Sequence, residues 1–88
     1  MIRKSLNWNP KAFKALVRAF APMPPDIRER ALQKIIDSIE DYVRMPGRDT
    51  VDFENVYHVS KEILKSKERY MYESLVNSLR AEGFEVKE

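Results

Sequence analysis

Three carboxylates, Asp37, Glu40 and Asp41, stand close together in the chain and are its nearest approach to a proton-trading group. Acid–base catalysis requires such groups in a cleft with separated pKa values, whereas acids strung along an amphipathic run are ordinary helix surface. Glu40 and Asp41 also fall near the negative end of the helix that must carry them, where acids oppose the dipole. That placement calls for a compensating cation or a partner, and Arg44 follows Glu40 at the i,i+4 spacing of a helical ion pair. The single histidine, His58, has no second ligand at metal-binding spacing. The chain has no cysteine, which excludes disulfides, thiolate chemistry and cysteine-held clusters. Its two glycines, Gly47 and Gly83, form neither a phosphate-cradling loop nor a nucleophile elbow. The expectation is a protein that is not an enzyme and has no catalytic residues, metal or cofactor.

Charge gives a second candidate chemistry. Residues 1–22 hold five basic side chains, Arg3, Lys4, Lys11, Lys14 and Arg18, and no acid, while the remaining residues carry eleven basic and fourteen acidic ones. A basic segment on a mildly acidic body steers either an acidic protein or a phosphate backbone.

These side chains must be positioned by helices. Ile27, Ala31, Leu32, Ile35, Ile36, Ile39, Tyr42 and Val43 recur at spacings of three and four, between Pro24-Pro25 and Met45-Pro46-Gly47, which predicts a central amphipathic helix near 25–45. Asn9-Pro10 reads as a cap with proline at the first helical position, opening a helix over 10–20 with Trp8 folded back as a hydrophobic staple. Pro22, Pro24 and Pro25 make the connector stiff. Thr50-Val51 runs extended for a residue or two. Asp52 then caps a helix over 53–64 whose stripe is Phe53, Val56, Val59 and Ile63. A further helix from about 67 to 82 ends at Gly83, with Phe84 packing back over it and the last residues frayed. Lys65 to Arg69 holds no helix breaker, so a helix continuous with the third, its gap covered by the Lys67 stem, is preferred to two shorter ones. The predicted core is Trp8, Phe13, Leu16, Val17, Ile27, Ala31, Ile35, Ile39, Tyr42, Val43, Val56, Val59 and Ile63.

The fold class expected is therefore all-α: one domain over residues 1–88, a compact small bundle of three to four helices around the central one. Tyr70, Met71, Leu75, Val76 and Leu79 exceed what a three-helix core of this size encloses, so a homodimer is a possible way to cover them. No apolar run approaches the about 18 residues of a membrane span, and the start MIRKSLNWNP lacks a signal-peptide core. The expected setting is the cytoplasm, with no membrane contact.

Two resemblances add to this reading. Trp8, Pro10 and Ala12, then Ile27-Arg28 opening a helix after proline, then Glu40-x-Tyr42-x-Arg44-x-x-Gly47, then Val51-Asp52-x-Glu54 with Val56, resemble the small C-terminal domain of the B subunit of light-independent protochlorophyllide reductase, which also occurs as a stand-alone unit. The likeness covers about residues 8–62, with the tail from Lys67 outside it and the central helix about one turn longer. It implies a shared helical fold and docking of a protein partner or a tetrapyrrole edge, without the reductase's redox centre. Glu40, Arg44 and Arg48, around the Gly47 turn, are the expected partner contacts of a non-catalytic interaction domain. Separately, Gly47-Arg48-Asp49-Thr50-Val51 after an amphipathic helix resembles the second loop of a histone fold, where arginine and threonine approach phosphate. The alternative function is accordingly nucleic-acid binding through Lys11, Lys14, Arg18, Arg48 and Thr50.

Overall fold

The computed structural model describes residues 1–67 and 69–87. The element order is β1 (Asn7–Trp8), α1 (Pro10–Ala19), α2 (Pro25–Arg44), β2 (Thr50–Val51), α3 (Phe53–Lys67) and α4 (Arg69–Ala81). The four helices form a compact all-α bundle, and the strands are a two-residue parallel bridge, Asn7 opposite Thr50 and Trp8 opposite Val51.

Local chemistry sets most of the boundaries. The Asn9 carboxamide oxygen accepts from the backbone N–H of Lys11 (2.9 Å) and Ala12 (3.4 Å), and Pro10 occupies the first helical position of α1. The Asp52 carboxylate accepts from the Phe53 N–H (2.8 Å), while the Asn55 side chain accepts from the Asp52 N–H (2.9 Å), a reciprocal cap that starts α3. Asn9 also donates to Asp52 at 3.0 Å, so the two caps are tied to each other across the β1–β2 bridge. The proline-rich connector before α2 is held by Arg28, whose guanidinium donates to the carbonyls of Ala21 (3.1 Å) and Met23 (2.8 Å).

Two helices end in the same motif. At α2, Gly47 takes φ +84° and donates its N–H to the Arg44 carbonyl (2.8 Å), while the Arg48 N–H reaches the Val43 carbonyl (3.3 Å). At α4, Gly83 takes φ +93°, its N–H reaches Arg80 O (3.0 Å), and the Phe84 N–H reaches Leu79 O (3.0 Å). Both are Schellman closures, which require the left-handed backbone that glycine adopts without strain.

The tail is part of the core. The Tyr57 and Tyr72 hydroxyls lie 3.3 Å apart. On one uninterrupted helix their sequence separation would hold them about 22 Å apart, so α3 and α4 form a hairpin rather than the continuous helix expected. Glu68, at the point where that expectation falls, the Lys67 side chain invoked to cover the gap, and Glu88 lie outside the described residues. Met71, Leu75 and Leu79 of α4 are fully buried, and their principal neighbour is α1. There Ala12, Ala15, Leu16 and Ala19 are equally buried, and the small alanines let the two backbones approach until the Ser74 hydroxyl donates to the Ala19 carbonyl at 2.9 Å. The apolar residues that pointed to a homodimer are thus covered by the chain's own first helix. Nor does the C-terminus fray where expected. Val86 is buried, and Phe84 stacks on Phe53 with ring centres 5.4 Å apart.

Helix α3 packs against each of the other three, and α2 lays Leu32, Ile35, Ile36, Ile39 and Val43 against it. Three residues of the predicted core lie on the rim instead. Val17 is 37% exposed because α1 is buried through its alanine side, about 140° around from Val17 at about 100° per residue. Ile27 (43%) and Tyr42 (42%) occupy the two end turns of α2, where the longest helix overhangs its neighbours.

Candidate functional site

The residue on which most of the polar structure converges is Glu40. It projects from the last third of α2, is 2% exposed, and its Oε2 accepts three N–H donors: Ser5 backbone (2.8 Å), Leu6 backbone (2.9 Å) and Trp8 Nε1 (2.9 Å). Arg44 Nη2 stands 3.7 Å from the other oxygen, Oε1. Burial pushes the carboxyl pKa up, but the Trp8, Leu6 and Ser5 donors and the Arg44 charge more than offset it, holding the group below the ordinary glutamate value and ionised at neutral pH. Glu40 was expected at a partner surface. It is instead an internal clasp, because the three donors that satisfy it come from the segment before α1 and cover it.

Trp8 is fixed from both sides. Its indole N–H is spent on Glu40, and its ring meets Phe13 edge to face at 5.5 Å and 79°, the staple between the residue before the cap and the fourth helical residue. Lys4 Nζ lies 4.1 Å from the centre of the Phe13 ring. The carboxylates nearest in sequence to Glu40 are committed elsewhere: Asp37 accepts from Gln33 Nε2 (2.9 Å) and Asp41 pairs with Arg44 Nη1 (3.3 Å). Among the described residues no group of three or more histidine and carboxylate side chains is arranged to hold a metal ion, and no helix is long and apolar enough to cross a membrane.

Arg44 and Arg48 do come together at the Gly47 turn. Tyr42, Val43, Met45, Pro46, Arg48 and Asn55 line a shallow groove of about 300 Å³. A second groove of about 400 Å³ shares Tyr42, Arg48 and Asn55 with it and continues to Glu54, Tyr57, His58 and Phe84. Met45 is 82% exposed, and the Tyr42 ring leans on His58 with centroids 5.2 Å apart. Arg44 is half-exposed and already bridges Glu40 and Asp41. The Arg48 guanidinium makes no hydrogen bond or ion pair among the described residues. Sequence reasoning placed this corner through Arg44 and Arg48 but missed Tyr42 and Met45, assigning Tyr42 to the core by its spacing.

The alternative residues form two separate groups. Lys11, Lys14 and Arg18 are exposed on α1, but Lys14 Nζ and Arg18 Nη1 each lie 3.6 Å from Glu82 Oε2 at the end of α4. Arg18 lines a groove with Tyr70 and Asn77, none of whose residues reach the grooves lined by Arg48. Thr50 is exposed in the β1–β2 bridge, its hydroxyl turned to Asp49 at 3.2 Å. Comparison of the chain with family models, with curated proteins and with solved structures finds no match.

Proposed function

We infer that the chain is a non-catalytic helical interaction domain, of the kind its resemblance to the C-terminal domain of the protochlorophyllide reductase B subunit implies. Its contact surface is the corner around the Gly47 turn. One observation carries the reading: an almost fully exposed methionine, Met45, stands beside Tyr42, Pro46 and the unpaired Arg48 on two adjoining grooves. Exposed methionine and tyrosine with an arginine are the residue types enriched at protein contacts. The partner that fits is a protein presenting an apolar side chain to Met45 and an acidic group to Arg48. Arg44 serves there as a half-exposed neighbour, and Glu40 serves only by holding Arg44 and the fold behind it.

A photo-crosslinking residue placed at Met45, with the same residue at Val17 as control, tests the surface in cells of the source organism. The expected result is one reproducible protein adduct from the Met45 position, absent from the Val17 position and lost on Arg48→Glu. Equal labelling from both positions, or labelling indifferent to Arg48→Glu, refutes it. The nucleic-acid reading draws on the exposed Lys11, Lys14 and Arg18 face, but Glu82 offsets one of those charges. Duplex DNA binding that falls steeply between low and moderate salt is the measurement that raises it above the first.

A further inference from the structure

Residues 2–6 belong to no helix and no strand, yet the main chain is held at regular intervals along α2. The Arg3 N–H donates to Gln33 Oε1 (2.8 Å), and Gln33 Nε2 donates back to the Arg3 carbonyl (3.0 Å). The Ser5 and Leu6 N–H groups donate to Glu40 Oε2 at 2.8 and 2.9 Å. The same Gln33 amide donates to Asp37 Oδ1 at 2.9 Å, which fixes its orientation so that its oxygen faces the segment. The spacing matches: five extended steps and the eleven helical steps from Glu29 to Glu40 each span about 16 Å, and the Met1 amino group pairs with Glu29 at the far end. Of the side chains, only Ile2 and Leu6 are part-buried against the core, while Arg3, Lys4 and Ser5 are exposed.

We propose that this face of α2 is a receptor for an extended peptide, occupied here by the chain's own residues 2–6 as a tethered ligand. The partner it fits is an extended segment with apolar side chains four residues apart. Every polar contact is to main chain, so the groove reads extension and the presence of N–H groups, while the two apolar positions supply the selectivity; proline at the third, fifth or sixth position is excluded because those N–H groups donate. The occupant is detachable without loss of the fold. Residues 7 and 8 are anchored separately by the β1–β2 bridge and the Trp8 ring, and Glu40 keeps the Trp8 and Arg44 contacts when the segment lifts. The Gln33 hydrogen bonds lie at the exposed surface, where local opening costs least. This surface is separate from the Met45 corner, and neither depends on the other.

A tethered ligand competes at an effective concentration in the millimolar range, so the site in the intact chain takes a free peptide weakly and a chain with a weakened tether takes it well. The test uses the full chain with Ile2→Ser and Leu6→Ser, titrated into a fluorescein-labelled peptide of sequence IRKSLN and followed by anisotropy. Binding is expected at least about tenfold tighter than to the unaltered chain, lost with the control peptide IRKPPN, and weakened when Gln33→Ala is added. Absence of saturable binding to the altered chain, with its helical circular dichroism intact, overturns the proposal. Hydrogen exchange of the unaltered chain decides the matter should the altered chain not fold: the Arg3, Ser5 and Leu6 amides are expected to exchange at least about a hundredfold faster than that of Leu75, and equal protection overturns the proposal. A concentration-dependent dimer of the unaltered chain that the IRKSLN peptide dissolves assigns the groove to a second copy and overturns the partner stated here.

Discussion

Replacing Glu40 tests the internal clasp most directly. Three N–H donors share one buried carboxylate oxygen, with Arg44 at the other. In Glu40→Gln the shape survives and an oxygen can still face the donors, but the charge assistance is lost. A charged hydrogen bond contributes about 1.5–3 kcal/mol and a neutral one about 0.5–1.5, so three bonds weakened by about 1 kcal/mol each give a loss of about 2–3 kcal/mol. Glu40→Ala removes the acceptor altogether and leaves the indole N–H and two backbone N–H groups without a partner, at a cost of about 3–5 kcal/mol. Urea unfolding followed by Trp8 fluorescence and by helical circular dichroism measures both. The pH dependence adds a check on sign. Because the folded carboxyl is held below the ordinary glutamate value, its contribution is fully present above that value, about pH 4, and is lost as pH falls through the lower folded value. Glu40→Gln carries no such contribution, so the gap between it and the unaltered chain is expected to be constant from pH 7 to 5 and to close below about pH 4. A Glu40→Ala loss under about 1 kcal/mol, or a gap that widens in acid, refutes the reasoning.

Three further outcomes are expected. Ser60 is fully buried in α3 with no hydrogen-bond partner for its hydroxyl among the described residues, so Ser60→Ala is expected to leave stability within about 0.5 kcal/mol or raise it; a loss above about 1 kcal/mol in a thermal or urea melt contradicts this. Leu75→Ala, at a fully buried position on α4, is expected to cost about 2–5 kcal/mol, and a change below about 0.5 kcal/mol by the same melt returns α4 to the status of an appendage. A Cβ built on Gly83 meets nothing within 4 Å, so the cost of Gly83→Ala is conformational alone, about 1 kcal/mol from the positive φ; Gly83→Asn is expected to cost less, and equal unfolding midpoints for the two contradict the Schellman reading.

Helix ends were legible because their causes are local. Asn9-Pro10, Asp52, Gly47 and Gly83 each act within a few residues, and all four play the part that their types imply. Glu40 was legible only as a question. An acid at the wrong end of a helix and a tryptophan whose N–H needs an acceptor are both visible in the sequence, but the donors lie 32 to 35 residues away and nothing local pairs them. The tail was misjudged for a related reason. Ala12, Ala15 and Ala19 carry little hydropathy, so their face did not read as a docking surface, although small size is what lets α4 approach. Of the candidate corner, the two arginines were found by motif and turn, whereas exposed Met45 and Tyr42 depend on α2 overhanging its neighbours, which periodicity cannot express.

The contact between the first and last helices governs how the chain can be made. The Ser74 to Ala19 hydrogen bond joins residues 55 apart, and the cap-to-cap bond from Asn9 to Asp52 joins residues 43 apart. A ribosome adding about 5–20 residues per second needs about 3–11 seconds between the end of α1 and the arrival of the turn of α4 that covers it. Through that interval the alanine face of α1 has nothing to dock on, and the first helix waits as a nascent, uncovered segment. Folding therefore completes late in synthesis, and a product that stops short of α4 leaves the ribosome with its first helix still unburied.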